Sequence, residues 1–184
     1  MSTTMIPAEL SAQIQATVLD YFAGERQEML LILSGSLLLS ALAFWLWTAT
    51  RTRFTSAFAI TVIATSVLFS GTALSLFVRD RSLSASLVQA VGTPLQTASL
   101  AAEGERIAVV MSKYPIYRYA SGVIACVALL GLVLSARGWV HGMAAGLLLL
   151  VAAQLLIDHY SEQRASAYFK QLSIYAAGLA SSAR

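Results

Sequence analysis

Four stretches of the chain carry no charged side chain: residues 29–50, 54–78, 119–136 and 138–157. A hydrocarbon layer about 30 Å thick takes roughly 20 apolar residues of helix to cross. Each stretch therefore predicts a transmembrane helix. Trp45 and Trp47 close the first and Trp139 opens the fourth. Helices one and four must run in opposite directions, so these indoles fall on one membrane face, as an interfacial aromatic belt would.

Three further segments have the helical period without the length of a span. From residue 7 to 24, Leu10, Ile14, Val18, Tyr21 and Phe22 form one apolar stripe, the mark of an amphipathic helix. The 82–114 connection holds "TPLQ", with Thr93 as N-cap, Pro94 at the first helical position and Gln96 reaching back. It predicts a helix over 94–114, which Pro115 stops. After the fourth span, Tyr160, Tyr168, Leu172, Tyr175 and Leu179 continue a stripe over 158–180, either on the same long helix or on one close behind it. The fold class expected is all-α, a polytopic membrane protein of one domain over 1–184, with four spans and amphipathic helices on one membrane face.

Composition agrees. Of 184 residues, 58% are hydrophobic and 11% charged, where a soluble domain carries about 25% charged. The single cysteine, Cys126, excludes an internal disulfide or a Cys-x-x-Cys pair. The first 28 residues hold Glu9, Asp20, Glu25 and Glu28 against Arg26 alone, unlike the basic start of a secretory signal.

Four spans place both termini and the long connection on one side, the broad face. The turn face takes Arg51, Arg53 and Arg137 of the twelve basic residues, and the broad face takes the other nine together with all nine acids. Positive residues near spans favour the inside, so the termini are expected to be cytoplasmic, in a plasma or bacterial inner membrane. Scattered bases with balancing acids predict no nucleic-acid partner.

Gly-Glu-Arg occurs twice on that face, at 24–26 and 104–106, with a looser "SEQR" at 161–164. The repeat suggests an internal duplication, an amphipathic helix followed by a membrane hairpin in each half. Side chains three or four apart on a helix face each other, which pairs Glu103 with Arg106. Glu25, Arg26, Glu28, Asp158 and Glu162 have no opposite charge at that spacing, so any partners must come from other segments, including Arg79, Asp80 and Arg81; Glu105 and Arg164 belong to the same charged face. They are expected to form a girdle of ion pairs, or a partner-binding face, where solvated helix ends are the plainer alternative.

Within the spans, Gly138, Gly142 and Gly146 make a small-residue frame on the fourth helix, and Gly122 supplies one on the third. Small faces let helices approach in lipid, so a tight three–four hairpin is expected. Thr61, Thr65 and Thr72 lie near one face of the second helix. They are candidates for packing or, in an oligomer, for a pore lining.

No ionisable residue falls near a midplane, where proton and ion pathways place them. His141 lies one turn inside an interface, and "ARGWVH" lacks the second cationic cluster and nucleophile of phosphoryl chemistry. No phosphate loop, Gly-x-Ser-x-Gly or His-Glu-x-x-His occurs. The reading is therefore of no enzyme, no cofactor and no metal site. In size and layout the chain is similar to several unrelated small four-span proteins of bacterial type, among them immunity proteins against pore-forming toxins. The likeness carries no motif, and so stands as analogy. The expected function is binding of a membrane or membrane-associated protein in an accessory, assembly or toxin-immunity role. A homo-oligomeric channel or passive transporter is the alternative, and an unfamiliar lipid-modifying enzyme the third.

Overall fold

The structure, a computed structural model, describes residues 8–91, 93 and 96–182. Among them the chain is all-helical, without a strand. Five helices follow in order: α1 (Ala8–Thr50), α2 (Arg53–Ala90), α3 (Gln96–Met111), α4 (Tyr114–Leu134) and α5 (Gly138–Ser182). Four helical stretches are long and apolar enough to cross a membrane, namely Glu9–Thr50, Arg53–Ala90, Ala98–Leu134 and Gly138–Gly178.

The helices are fewer and longer than the charge pattern predicts. The described residues of 7–24 and segment 29–50 are both parts of α1, and 54–78 continues through "RDR" to residue 90. Segments 138–157 and 158–180 both belong to α5. The reason is local. Glu, Arg and Gln are good helix formers, and neither 79–90 nor 157–177 contains a proline or glycine. Charged triplets mark a change of surroundings here, not a helix end.

Where the helices do end, the backbone chemistry is explicit. Arg51 has φ 50°, and its N–H donates to the Trp47 carbonyl at 2.9 Å, the left-handed closure of a helix C-terminus. The Thr52 hydroxyl then accepts from the Thr55 N–H, and Thr55 Oγ1 accepts from the Thr52 N–H, both at 3.1 Å. That reciprocal pair opens α2 as a capping box does. Pro115 falls in the first turn of α4, where its missing N–H leaves no bond unmade. Of the "TPLQ" cap, Pro94 lies outside the described residues, and Thr93 Oγ1 donates to the Ala90 carbonyl at 2.7 Å.

Packing divides the chain into two compact units. Unit 1 takes the described residues of Met1–Gln27, Phe77–Tyr114 and Tyr160–Arg184, and unit 2 is Glu28–Leu76 with Pro115–His159.

Unit 1 is built around an apolar core. Ile14, Val18 and Ile107 are fully buried, joined by Tyr21, Phe22, Leu87, Leu100, Tyr114, Ala165, Tyr168 and Leu172. The α1 stripe supplies one wall, with Leu10 packed against it. On α5 the buried side chains are Ala165, Tyr168 and Leu172, whereas Tyr160 is exposed. The Tyr21 and Tyr168 rings stack with centroids 4.0 Å apart.

Unit 2 has the opposite character. Its buried apolar cluster is Ala43, Ala59 and Val62, with Leu39 and Phe58 against it. Its larger side chains face outward, with Leu37 74% and Val133 80% exposed. Close approach of backbones replaces bulk in its interior. A Cβ on Gly142 would lie 2.1 Å from the Phe54 carbonyl oxygen, and one on Gly146 would lie 2.9 Å from Thr61 Cβ. The glycine frame of α5 thus meets α2, whereas the hairpin expectation pointed it at α4. Contact between α4 and α5 runs through Gly131, whose Cβ position lies 3.4 Å from Val140.

Candidate functional site

Apolar side chains on all sides would leave nothing for a charged group to do in unit 1, yet several are placed there. Glu25 follows Tyr21 by one helical turn on α1, and the Tyr21 hydroxyl donates a short hydrogen bond to Glu25 Oε1. Asp80 enters from α2 and is 6% exposed. Its Oδ1 accepts from Arg79 Nε at 2.9 Å and Nη2 at 2.8 Å. From α3, Glu103 is 4% exposed and takes a bidentate pair of bonds from Arg106, both at 2.8 Å. The Arg106 guanidinium also lies over the Phe22 ring, 5.9 Å from its centroid, at cation–π range. The Tyr168 hydroxyl of α5 is buried without a hydrogen-bond partner.

The surroundings shift these groups. Burial, then the Asp80 carboxyl within hydrogen-bonding reach, push Glu25 up from an ordinary 4.5 to about 7, while Tyr21 and Arg106 pull the other way. Burial and the neighbouring Glu25 carboxylate push the Tyr21 phenol up. Burial and the Glu103 carboxylate do the same to Tyr168. Burial works against the Arg106 charge, but its bonds to Glu103 outweigh that and hold it raised.

Two carboxylates of unit 1 remain half satisfied. Glu25 Oε2 and Asp80 Oδ2 are buried and have no hydrogen-bond donor. An unpaired buried polar atom costs about 1–3 kcal/mol, more when charged.

Of the residues singled out in sequence, Glu25, Asp80, Glu103 and Arg106 come together in unit 1, with Arg79 attached through Asp80. Arg26, Arg81 and Glu105 are exposed, and Glu28, Glu162 and Arg164 are half-buried. The Arg164 side chain lies across Gly24, its Cδ 2.9 Å from where a Cβ would stand. The two Gly-Glu-Arg copies bury opposite members. The first turns its Glu inward and the second its Arg, and a Cβ on Gly104 would meet nothing within 4 Å beyond its own helix. The Arg79–Asp80 pair and the Glu103–Arg106 pair each lie within a single helix.

Asp158 belongs to unit 2, 5% exposed, where its Oδ1 accepts from Gln154 Nε2 at 2.7 Å. Among the packing glycines, Gly138 lies 3.9 Å from the Phe54 nitrogen, counted from its Cβ position, and Gly122 has nothing within 4 Å. Thr61 and Thr65 hydroxyls donate to the carbonyls of Ala57 and Thr61, each at 2.9 Å, and Thr72 donates to that of Phe69 at 2.9 Å. His141 Nε2 lies 2.6 Å from the Ser135 carbonyl and fastens the α4–α5 turn.

Sequence reasoning missed the two tyrosines. Tyr21 and Tyr168 read only as members of apolar stripes, although the i, i+4 spacing of Tyr21 and Glu25 is a hydrogen-bonding spacing. No protein-family model matches the chain, and no curated protein or solved structure matches it either.

Proposed function

We propose that the chain is a four-span membrane protein that works by binding a membrane or membrane-associated protein, without catalysis. In this reading 29–50, 54–78, 119–136 and 138–157 lie in lipid, and the charged segments with both termini lie on the cytoplasmic side of a plasma or bacterial inner membrane. The observation that carries it is the contrast between the units. Unit 2 turns its large apolar side chains outward, as lipid as a solvent permits. Unit 1 encloses eleven buried residues from every helix of the chain. Spanning a bilayer requires no such second core, whereas presenting a fixed surface to a partner does. Leu19, Val109 and Ile174 are exposed on it.

Accessory, assembly and toxin-immunity roles all fit this description. The test is cross-linking of tagged protein in native membranes, followed by mild-detergent isolation and mass determination. A second protein at fixed stoichiometry, lost on Leu19→Asp or Ile174→Asp, is the expected result. A pure homo-oligomer that conducts ions in planar bilayers, silenced by Thr65→Leu, would replace this reading by the channel one.

A further inference from the structure

Two carboxyl groups from different helices meet in unit 1, and each has one oxygen accounted for and one not. Tyr21 serves Glu25 Oε1 and Arg79 serves Asp80 Oδ1. The remaining oxygens, Oε2 and Oδ2, are both buried and both lack a donor. Asp80 is more than nine-tenths buried, so bulk solvent does not reach its second oxygen. Two ionised carboxylates have no hydrogen to give each other. One proton between them removes both deficits at once, Glu25 Oε2–H donating to Asp80 Oδ2.

We propose that Glu25 and Asp80 hold a single shared proton, making unit 1 a proton-binding site that ties the α1–α2 contact to pH.

The groups around the pair come from every helix of the unit. On α1 the Tyr21 hydroxyl bonds to Glu25, and on α2 Arg79 bonds to Asp80. From α3 the Arg106 charge reaches Glu25, but Arg106 is bound to Glu103 in a two-bond pair. Tyr114 at the start of α4 acts on Tyr21. On α5, Tyr168 stacks on Tyr21 and Arg164 lies across Gly24. Burial and the second carboxyl favour the proton, and the Tyr21 bond and Arg106 oppose it, which sets the release near neutrality and not at an alkaline extreme. The midpoint is that of the Glu25 carboxyl with the Asp80 carboxyl beside it. Once the proton leaves, two buried negative charges face each other with Arg79 bound to only one of them, and the contact between the helices that carry them weakens.

The sign of the stability effect follows. Below an ordinary 4.5 both folded and unfolded chains hold the proton; between that and about 7 only the folded chain does. Stability from this site is therefore full on the acid side and falls as pH rises through about 7. The inference does not depend on the binding function proposed above, since its test is made on purified protein alone.

The experiment is infrared difference spectroscopy of the full chain in mild detergent, titrated from about pH 5 to about pH 9. A protonated-carboxyl carbonyl band is expected to vanish with a midpoint near 7. It should be absent in Glu25→Gln, should titrate at lower pH in Asp80→Asn, and should persist in Asp158→Asn. Labelling the wild-type protein with ¹³C-glutamate should shift the band without any substitution, which keeps the test decisive if a variant does not fold. Absence of a titrating band, or a band that the label leaves unmoved, overturns the proposal.

Discussion

A methyl group at position 142 would stand 2.1 Å from the carbonyl oxygen of Phe54 and 2.9 Å from its carbonyl carbon. Both are backbone atoms, so no rotamer change can make room, and the α2–α5 contact itself must open. Overpacking of this kind costs about 1–3 kcal/mol. Gly142→Ala is therefore expected to lower the melting temperature in detergent clearly. Gly122→Ala, with nothing within 4 Å of the new methyl, is expected to be neutral or slightly stabilising, since alanine is the better helix former. Equal effects from the two would contradict the packing described. The comparison also separates two meanings of a small residue. Gly142 is small because a neighbouring backbone passes it, whereas Gly122 has no such neighbour, and the sequence writes both with the same letter.

At the scale of elements, the strongest local feature is the junction of α1 and α2. Arg51 occupies a left-handed conformation, φ 50°, in which a non-glycine residue is strained by about 1 kcal/mol. Its side chain is exposed, so little packing is lost by changing it. Arg51→Gly is expected to raise the melting temperature, less the entropy that glycine adds to the unfolded chain. Arg51→Val, β-branched at positive φ, is expected to lower it; a shift in the same direction for both would argue against this backbone. Such ends were partly legible in sequence, because "TATRTRF" is the interruption between two apolar runs. The apolar stretches themselves were legible too, since charge-free lengths follow directly from the residues. The continuity of α1 and α2 was not, while that of α5 was one of the two forms open to the stripe over 158–180, since no breaker follows the fourth span. Charge patterns report where the surroundings change, while helix continuity depends on the absence of breakers, and the two need not coincide. The Glu25–Asp80 meeting lay further out of reach. It is a contact between α1 and α2, set by core packing that no periodicity along a single helix encodes.

Taken as a whole molecule, the chain distributes apolar residues by two different rules. Unit 1 buries them around Ile14, Val18 and Ile107. Unit 2 is held by small residues and glycine contacts, and leaves Leu31, Leu37, Leu68, Val127, Val133 and Leu134 outward. A monomer in water rarely shows contiguous apolar patches beyond a few hundred Å², so this surface needs a covering, and lipid is the one the proposed function supplies. All three tryptophans belong to unit 2, with Trp45 65%, Trp47 39% and Trp139 42% exposed. They close α1 and open α5, beside the two short turns, where an indole belt would sit at the headgroup level. In vesicles they are therefore expected to be quenched strongly by lipids brominated high on the acyl chain and weakly by aqueous iodide. Iodide quenching as efficient as that of free tryptophan, with no effect of the brominated lipid, would remove the bilayer from this account. The outward apolar face would then have to be covered by other copies of the chain, and its mass in solution would reveal them.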